Sequence, residues 1–213
     1  MLTNWPRAGR SLDVNSQCLS PTTESSKGMI LDSIPWKEEL HSLIGQLTST
    51  ALPFEYDEDD RSDFFIERAL IYSAFVARLL LDAKKTTDSI NDYCMPVGSI
   101  PNKLENPEYV SPLLRRFPEH NYYDFENETA LSVPCRRILN QIIHSFVIPA
   151  FEVDETGTVL GFFVTSDKSA NKQLYHIKLE CWAKYLEMIV NDDITTIDAH
   201  FDREKGKWVV TRR

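Results

Sequence analysis

The stretch Ser132-Val-Pro-Cys-Arg-Arg-Ile-Leu-Asn-Gln-Ile-Ile-His-Ser-Phe146, followed at once by Val147-Ile-Pro-Ala-Phe-Glu-Val153, is where this chain changes character. The first part has helical spacing: Leu131, Ile138, Leu139, Ile142, Ile143 and Phe146 supply an apolar side. Ser132 stands as its cap and Pro134 suits the first turn. The second part reads as strand. It pairs with Val159–Ser166 across the turn Asp154-Glu-Thr-Gly157 to make a hairpin.

Before this junction the pattern is mostly helical. Met1–Lys27 is rich in Ser, Thr, Asn and Pro without periodicity and reads as a mobile tail, so 1–28 is set apart from an α+β domain over 29–213. A helix is expected from Pro35 to Ser49, capped by Ser33, with Trp36, Leu40, Leu43, Ile44 and Leu47 on one face. The acidic run Glu55–Asp63 lacks the glycine of a calcium loop and reads as a solvated lead into the next helix. That helix, Asp60–Lys84, is apolar nearly all round, which makes it central. Glu67, Arg68 and Arg78 argue against a membrane span. From Met95 to Ala130 five prolines break the pattern, leaving a long connection with a short helix near Ser111–Phe117. Tyr122, Tyr123 and Phe125 anchor that connection to the core.

After the junction the order is strand, strand, a third strand at Gln173–Ile177, and a helix over Lys178–Val190 with Trp182, Leu186 and Ile189 inward. A second hairpin follows, Thr195–Asp202 and Lys207–Thr211 around Arg203-Glu-Lys-Gly206. The fold class is α+β: a helical half over 33–146, then antiparallel hairpins packed with a C-terminal helix over 147–213.

Composition narrows function. The chain has 213 residues and a net charge of −9, which disfavours a nonspecific nucleic-acid binder while allowing a local basic patch. Cys18, Cys94, Cys135 and Cys181 are too scattered for a metal or redox motif and read as free buried thiols of a cytoplasmic protein. No apolar leader follows Arg7 and Arg10. With 7 glycines and no phosphate-binding loop, no cofactor is expected. Asp198, His200 and Asp202 share one face of a strand, but their alternation with Ile197, Ala199 and Phe201 is that of a half-exposed strand, and no metal is assigned. Ser166-Asp167-Lys168-Ser169 reads as a plain polar turn.

The candidate chemistry lies on the polar side of the Ser132–Phe146 helix. Arg137 and His144 are two turns apart, about 10 Å along the axis, with Asn140 and Gln141 between them. No acidic residue occurs from Leu131 to Phe151. His144 suits general acid/base work on a ribose hydroxyl, Arg137 suits bidentate contact with phosphate, and Asn140 suits orientation. This arrangement resembles the HEPN superfamily, whose ribonucleases carry Arg, four to six residues, then His on one helix. The resemblance covers this helix and its long companion at Asp60–Lys84. It implies a metal-independent endoribonuclease or RNA-binding toxin or defence component, with RNA as partner and a homodimer as the assembly.

Two other readings stand beside it. Arg137 and His144 are ordinary surface residues paired with acids elsewhere, or the protein is a non-catalytic, immunity- or antitoxin-like module whose acidic surface meets a basic protein. The RNA reading requires Arg137 and His144 exposed in a cleft or dimer seam with Arg136 and Arg115 on its rim. The interaction reading requires those side chains scattered or buried, and an exposed acidic or apolar patch elsewhere.

Overall fold

The computed structural model describes residues 32–49, 52, 61–105, 118–145 and 150–213. The tail 1–28, most of the acidic run, the short helix at Ser111–Phe117, Arg115 and Cys18 lie outside the described residues.

The fold is α+β. Two helices, α1 (Ile34–Ser49) and α2 (Ser62–Asp82), precede a one-turn helix α3 (Asp88–Asn91) and strand β1 (Cys94–Pro101). After a 3₁₀ turn at Phe125–Asn127 come β2 (Thr129–Pro134), α4 (Cys135–Ile143), β3 (Ala150–Val153), β4 (Val159–Val164) and β5 (Gln173–Lys178). Helix α5 (Leu179–Val190) and the strands β6 (Ile197–Asp202) and β7 (Lys207–Arg212) complete the order. Five strands form one antiparallel sheet, β2-β1-β5-β4-β3, and β6 and β7 form a separate two-stranded ribbon.

Helix α5 lies on β1, β4 and β5, while α1 packs against α5 and α2, and α2 also meets α4. Fully buried Trp182 sits at the centre of this layer. Its ring meets Phe162 edge to face at 6.2 Å, and its Nε1 donates to Ser73 Oγ of α2 at 3.3 Å. The polar end of the indole is thereby satisfied inside an apolar core. On the other side of the sheet Ile100, Leu174 and Tyr123 form a smaller cluster, flanked by Tyr122, Phe125 and Phe163. The aromatics of the Met95–Ala130 stretch do anchor it.

Strand β1 falls in the stretch read as an irregular connection, and β2 runs from the end of that stretch into the residues read as the start of the Ser132 helix. Prolines hid them. Pro96 lies where β1 pairs with β2 alone, before β5 joins at Gly98, and Pro134 ends an edge strand. Both are places where a strand tolerates a missing N–H.

Helix α2 also differs from expectation. It meets α1 on one side and α4 on another, yet Phe64, Ile71 and Phe75, one stripe at helical spacing, are exposed. Helix α1 starts one residue early, and its first donor, Ile34 N, is taken by the Asp32 carboxylate at 2.9 Å rather than by Ser33.

Both hairpin turns follow one device. Asp154 Oδ1 accepts from Thr156 N (2.8 Å), Thr156 Oγ1 (2.7 Å) and Thr158 N (3.0 Å), bonds that hold its carboxyl below the usual range. Asp202 Oδ1 does likewise with Lys205 N and Glu204 N, with the same direction of shift. Gly157 has φ +80°, and a Cβ there would fall 2.0 Å from the Leu52 carbonyl oxygen, so the position requires glycine. Among the described residues no helix is long and apolar enough to cross a membrane.

Candidate functional site

Helix α4 is shorter than its sequence pattern. The chain stays extended through Pro134 (ψ 128°), so Ser132 lies in β2 and caps nothing. Proline at 134 favours extended backbone at Val133, which carries strand conformation up to the helix. At the other end α4 stops at Ile143. His144 leaves helical geometry (φ −110°, ψ 34°) while its N–H still reaches Asn140 O at 3.1 Å, and Ser145 bridges to Ser166.

That bridge builds the site. Arg137, Asn140 and His144, all exposed, line a cleft of about 530 Å³, and the facing wall is the turn Ser166-Asp167-Lys168-Ser169. Gln141, read as part of the polar face, is buried instead; its Oε1 accepts from Ser166 N at 2.8 Å and fixes the turn to the helix. The turn read as a plain loop is therefore half of the cleft. Its signal was Gln141, a polar residue amid Ile138, Leu139 and Ile142 that needs a buried partner.

Each candidate side chain is positioned separately. The Arg137 guanidinium lies 5.8 Å from the Tyr175 ring centroid, a cation–π contact that orients it from the sheet. Asn140 Oδ1 accepts from Arg78 Nη1, which occupies its acceptor and leaves the amide N–H groups as its donors. Arg78 Nε also holds Asp82 Oδ2 at 2.7 Å, and Arg136 binds the other oxygen of the same carboxylate. Burial alone would raise the Asp82 carboxyl, but hydrogen bonds and charge from Arg78 and Arg136 outweigh it and hold it low. Arg136 is thus the arginine paired with an acid, while Arg137 points to the cleft. Asp167 is the acid on the far wall; Lys168 balances it.

A second cluster had no sequence signal, because its members come from three separated segments. His176 Nδ1 lies 3.1 Å from Glu128 Oε1 and its Nε2 lies 2.9 Å from Glu152 Oε2. The ring stacks on Phe163 at 4.6 Å. Gly98 makes this possible, since a Cβ there would fall 1.7 Å from the Glu128 carboxylate oxygen. With both ring nitrogens engaged, His176 fastens the edges of the sheet rather than offering a free ligand.

Among the described residues no group of His, Cys, Asp and Glu is arranged to hold a metal ion, Asp198, His200 and Asp202 included. The thiols are free but not uniformly buried: Cys135 is buried, Cys181 half-buried and Cys94 exposed. Burial, helped by nearby Cys94, pushes the Cys135 thiol up to about 12, so it is inert at neutral pH. No family model, curated protein or solved structure matches this chain.

Proposed function

We propose that this protein acts on RNA through the α4 cleft, as a HEPN-like, metal-independent ribonuclease. The observation that carries this reading is that Arg137, Asn140 and His144 open into one cleft opposite Ser166–Ser169. In the proposed reaction His144 takes the proton of a ribose 2′-hydroxyl, whose oxygen then attacks the adjacent phosphorus. Arg137 binds the two non-bridging oxygens and stabilises the charge that builds on them. The bond to the 5′-oxygen breaks, that oxygen takes a proton from water, the hydroxide left behind recovers the proton held by His144, and a 2′,3′-cyclic phosphate remains. The Asn140 amide donates to phosphate, and Lys168 adds positive charge across the cleft. The test is cleavage of RNA in EDTA: His144→Ala and Arg137→Ala should each lower the rate by roughly 100-fold or more. Wild-type activity in either variant removes the mechanism.

A second reading is favoured by a specific surface. Phe64, Ile71 and Phe75 of α2, with Leu43 and Ile143, line an open groove of about 870 Å³ bordered by Glu39 and Glu67. The rim carries Glu39 and Glu67 against Arg68, which lies over the Phe64 ring, and an apolar groove with this net-acidic rim suits a basic protein partner bearing an apolar anchor, the role of a non-catalytic interaction module. Phe75→Glu should abolish such binding and leave RNA cleavage intact. Loss of cleavage in Phe75→Glu with binding retained would refute this reading.

A further inference from the structure

We propose that Arg78 is a positioning residue for the α4 cleft: it locks the Asn140 amide so that its N–H groups, and not its oxygen, are offered to a bound phosphate. This role rests on the ribonuclease reading of the cleft and extends it to a residue outside the cleft walls.

Asn140 lines the cleft with Arg137 and His144, whereas Arg78, on α2, is not among the lining residues. The two meet where α2 packs on α4, 62 positions apart in sequence. The two ends of an asparagine amide have nearly the same shape and opposite hydrogen-bonding character. A phosphate accepts only from the nitrogen end, and an amide oxygen turned toward it would set two acceptors face to face. Exposed Asn140 therefore needs a neighbour that tells its two ends apart.

Arg78 does so by its chemistry. A guanidinium carries N–H donors and no acceptor, so it bonds only to Oδ1. Arg78 Nη1 donates to that atom, and a flipped amide would bring N–H against N–H. The guanidinium is itself held in place. Its Nε donates to Asp82 Oδ2 at 2.7 Å, and the other oxygen of Asp82 is bound by Arg136. Among the described residues no other side-chain hydrogen bond reaches the Asn140 amide, so Nδ2 is left for a ligand. A cation on Oδ1 also draws electron density from the amide and strengthens its N–H groups as donors.

The grip reaches the proposed base as well. The backbone oxygen of Asn140 accepts from His144 N at 3.1 Å, so the residue that Arg78 holds also anchors the backbone from which His144 projects.

The test is steady-state cleavage of single-stranded RNA in EDTA by the full chain and its variants. Arg78→Met, which keeps the stem and loses the donors, should lower kcat/KM roughly tenfold. Arg78→Lys, again a donor without an acceptor, should regain roughly threefold of that loss. In an Asn140→Ala background the Arg78→Met loss should shrink to about twofold or less, because the amide it positions is gone. Asn140→Asp keeps an oxygen for Arg78 but has no N–H to give, so it should cleave no faster than Asn140→Ala. A full Arg78→Met loss in the Asn140→Ala background, or wild-type cleavage by Arg78→Met or Asn140→Asp, would overturn the positioning role and leave the cleft reading standing. Absence of cleavage by wild type would overturn the cleft reading and this role with it.

Discussion

The five-stranded sheet and the C-terminal ribbon are both antiparallel, both turned by an Asp-led loop, and both rich in aromatic residues. They differ in what covers them. In the sheet β5 has a neighbour on each edge, α5 on one face and the Tyr123 cluster against part of the other. In the ribbon each strand has one neighbour, and Phe201 and Trp208 face solvent. A two-stranded ribbon does not stabilise itself by burial. Aromatics in the sheet hold the fold together, and Phe201 and Trp208 of the ribbon stay largely in solvent.

Truncating one tryptophan in each region sharpens this contrast most. Trp182→Ala should lose about 3–5 kcal/mol, measured by denaturant unfolding, because it leaves a large cavity in the core. Trp208→Ala should change stability by no more than ~0.5 kcal/mol, since its ring is largely exposed. Equal losses would break the comparison.

A smaller effect of opposite sign is expected at Tyr185. Its hydroxyl is buried without a hydrogen-bond partner, and burial drives its ionisation well above the ordinary range. Removing that oxygen in Tyr185→Phe should raise stability by about 1 kcal/mol, read as a higher denaturation midpoint.

A smaller effect still concerns acid. The folded Asp82 carboxyl is held below its ordinary value of 3.8 by Arg78 and Arg136. The stability it adds is therefore full above that value and is lost as pH falls through the depressed one. Asp82→Asn should flatten the acid limb of the stability curve. A curve unaltered by the substitution would show that the α2–α4 pairing adds nothing measurable.

The α+β order was legible where hydrophobic period and turn chemistry agree, as in α5, with Trp182, Leu186 and Ile189, and in the turns at Asp154 and Asp202. It was illegible where one residue's meaning depended on a distant neighbour. Pro96 breaks a helix in any local window, yet it is tolerated in β1 because β5 begins two residues later. Ser132 resembles a cap, but pairing with Pro96 makes it strand. At the site, the spacing of Arg137, Asn140 and His144 could be read directly. The Ser166–Ser169 wall, the Arg78–Asn140 bond and the Glu128–His176–Glu152 cluster join residues at least 24 positions apart, and only folding brings them together.

The most direct measurement is the product chemistry of single-stranded RNA incubated in EDTA with wild type and with His144→Ala. Wild type should yield 2′,3′-cyclic phosphate and 5′-hydroxyl ends, and the variant should cut at a rate roughly 100-fold lower or more. Equal rates for the two proteins, or cleavage of the same sequence made as DNA, would contradict the mechanism.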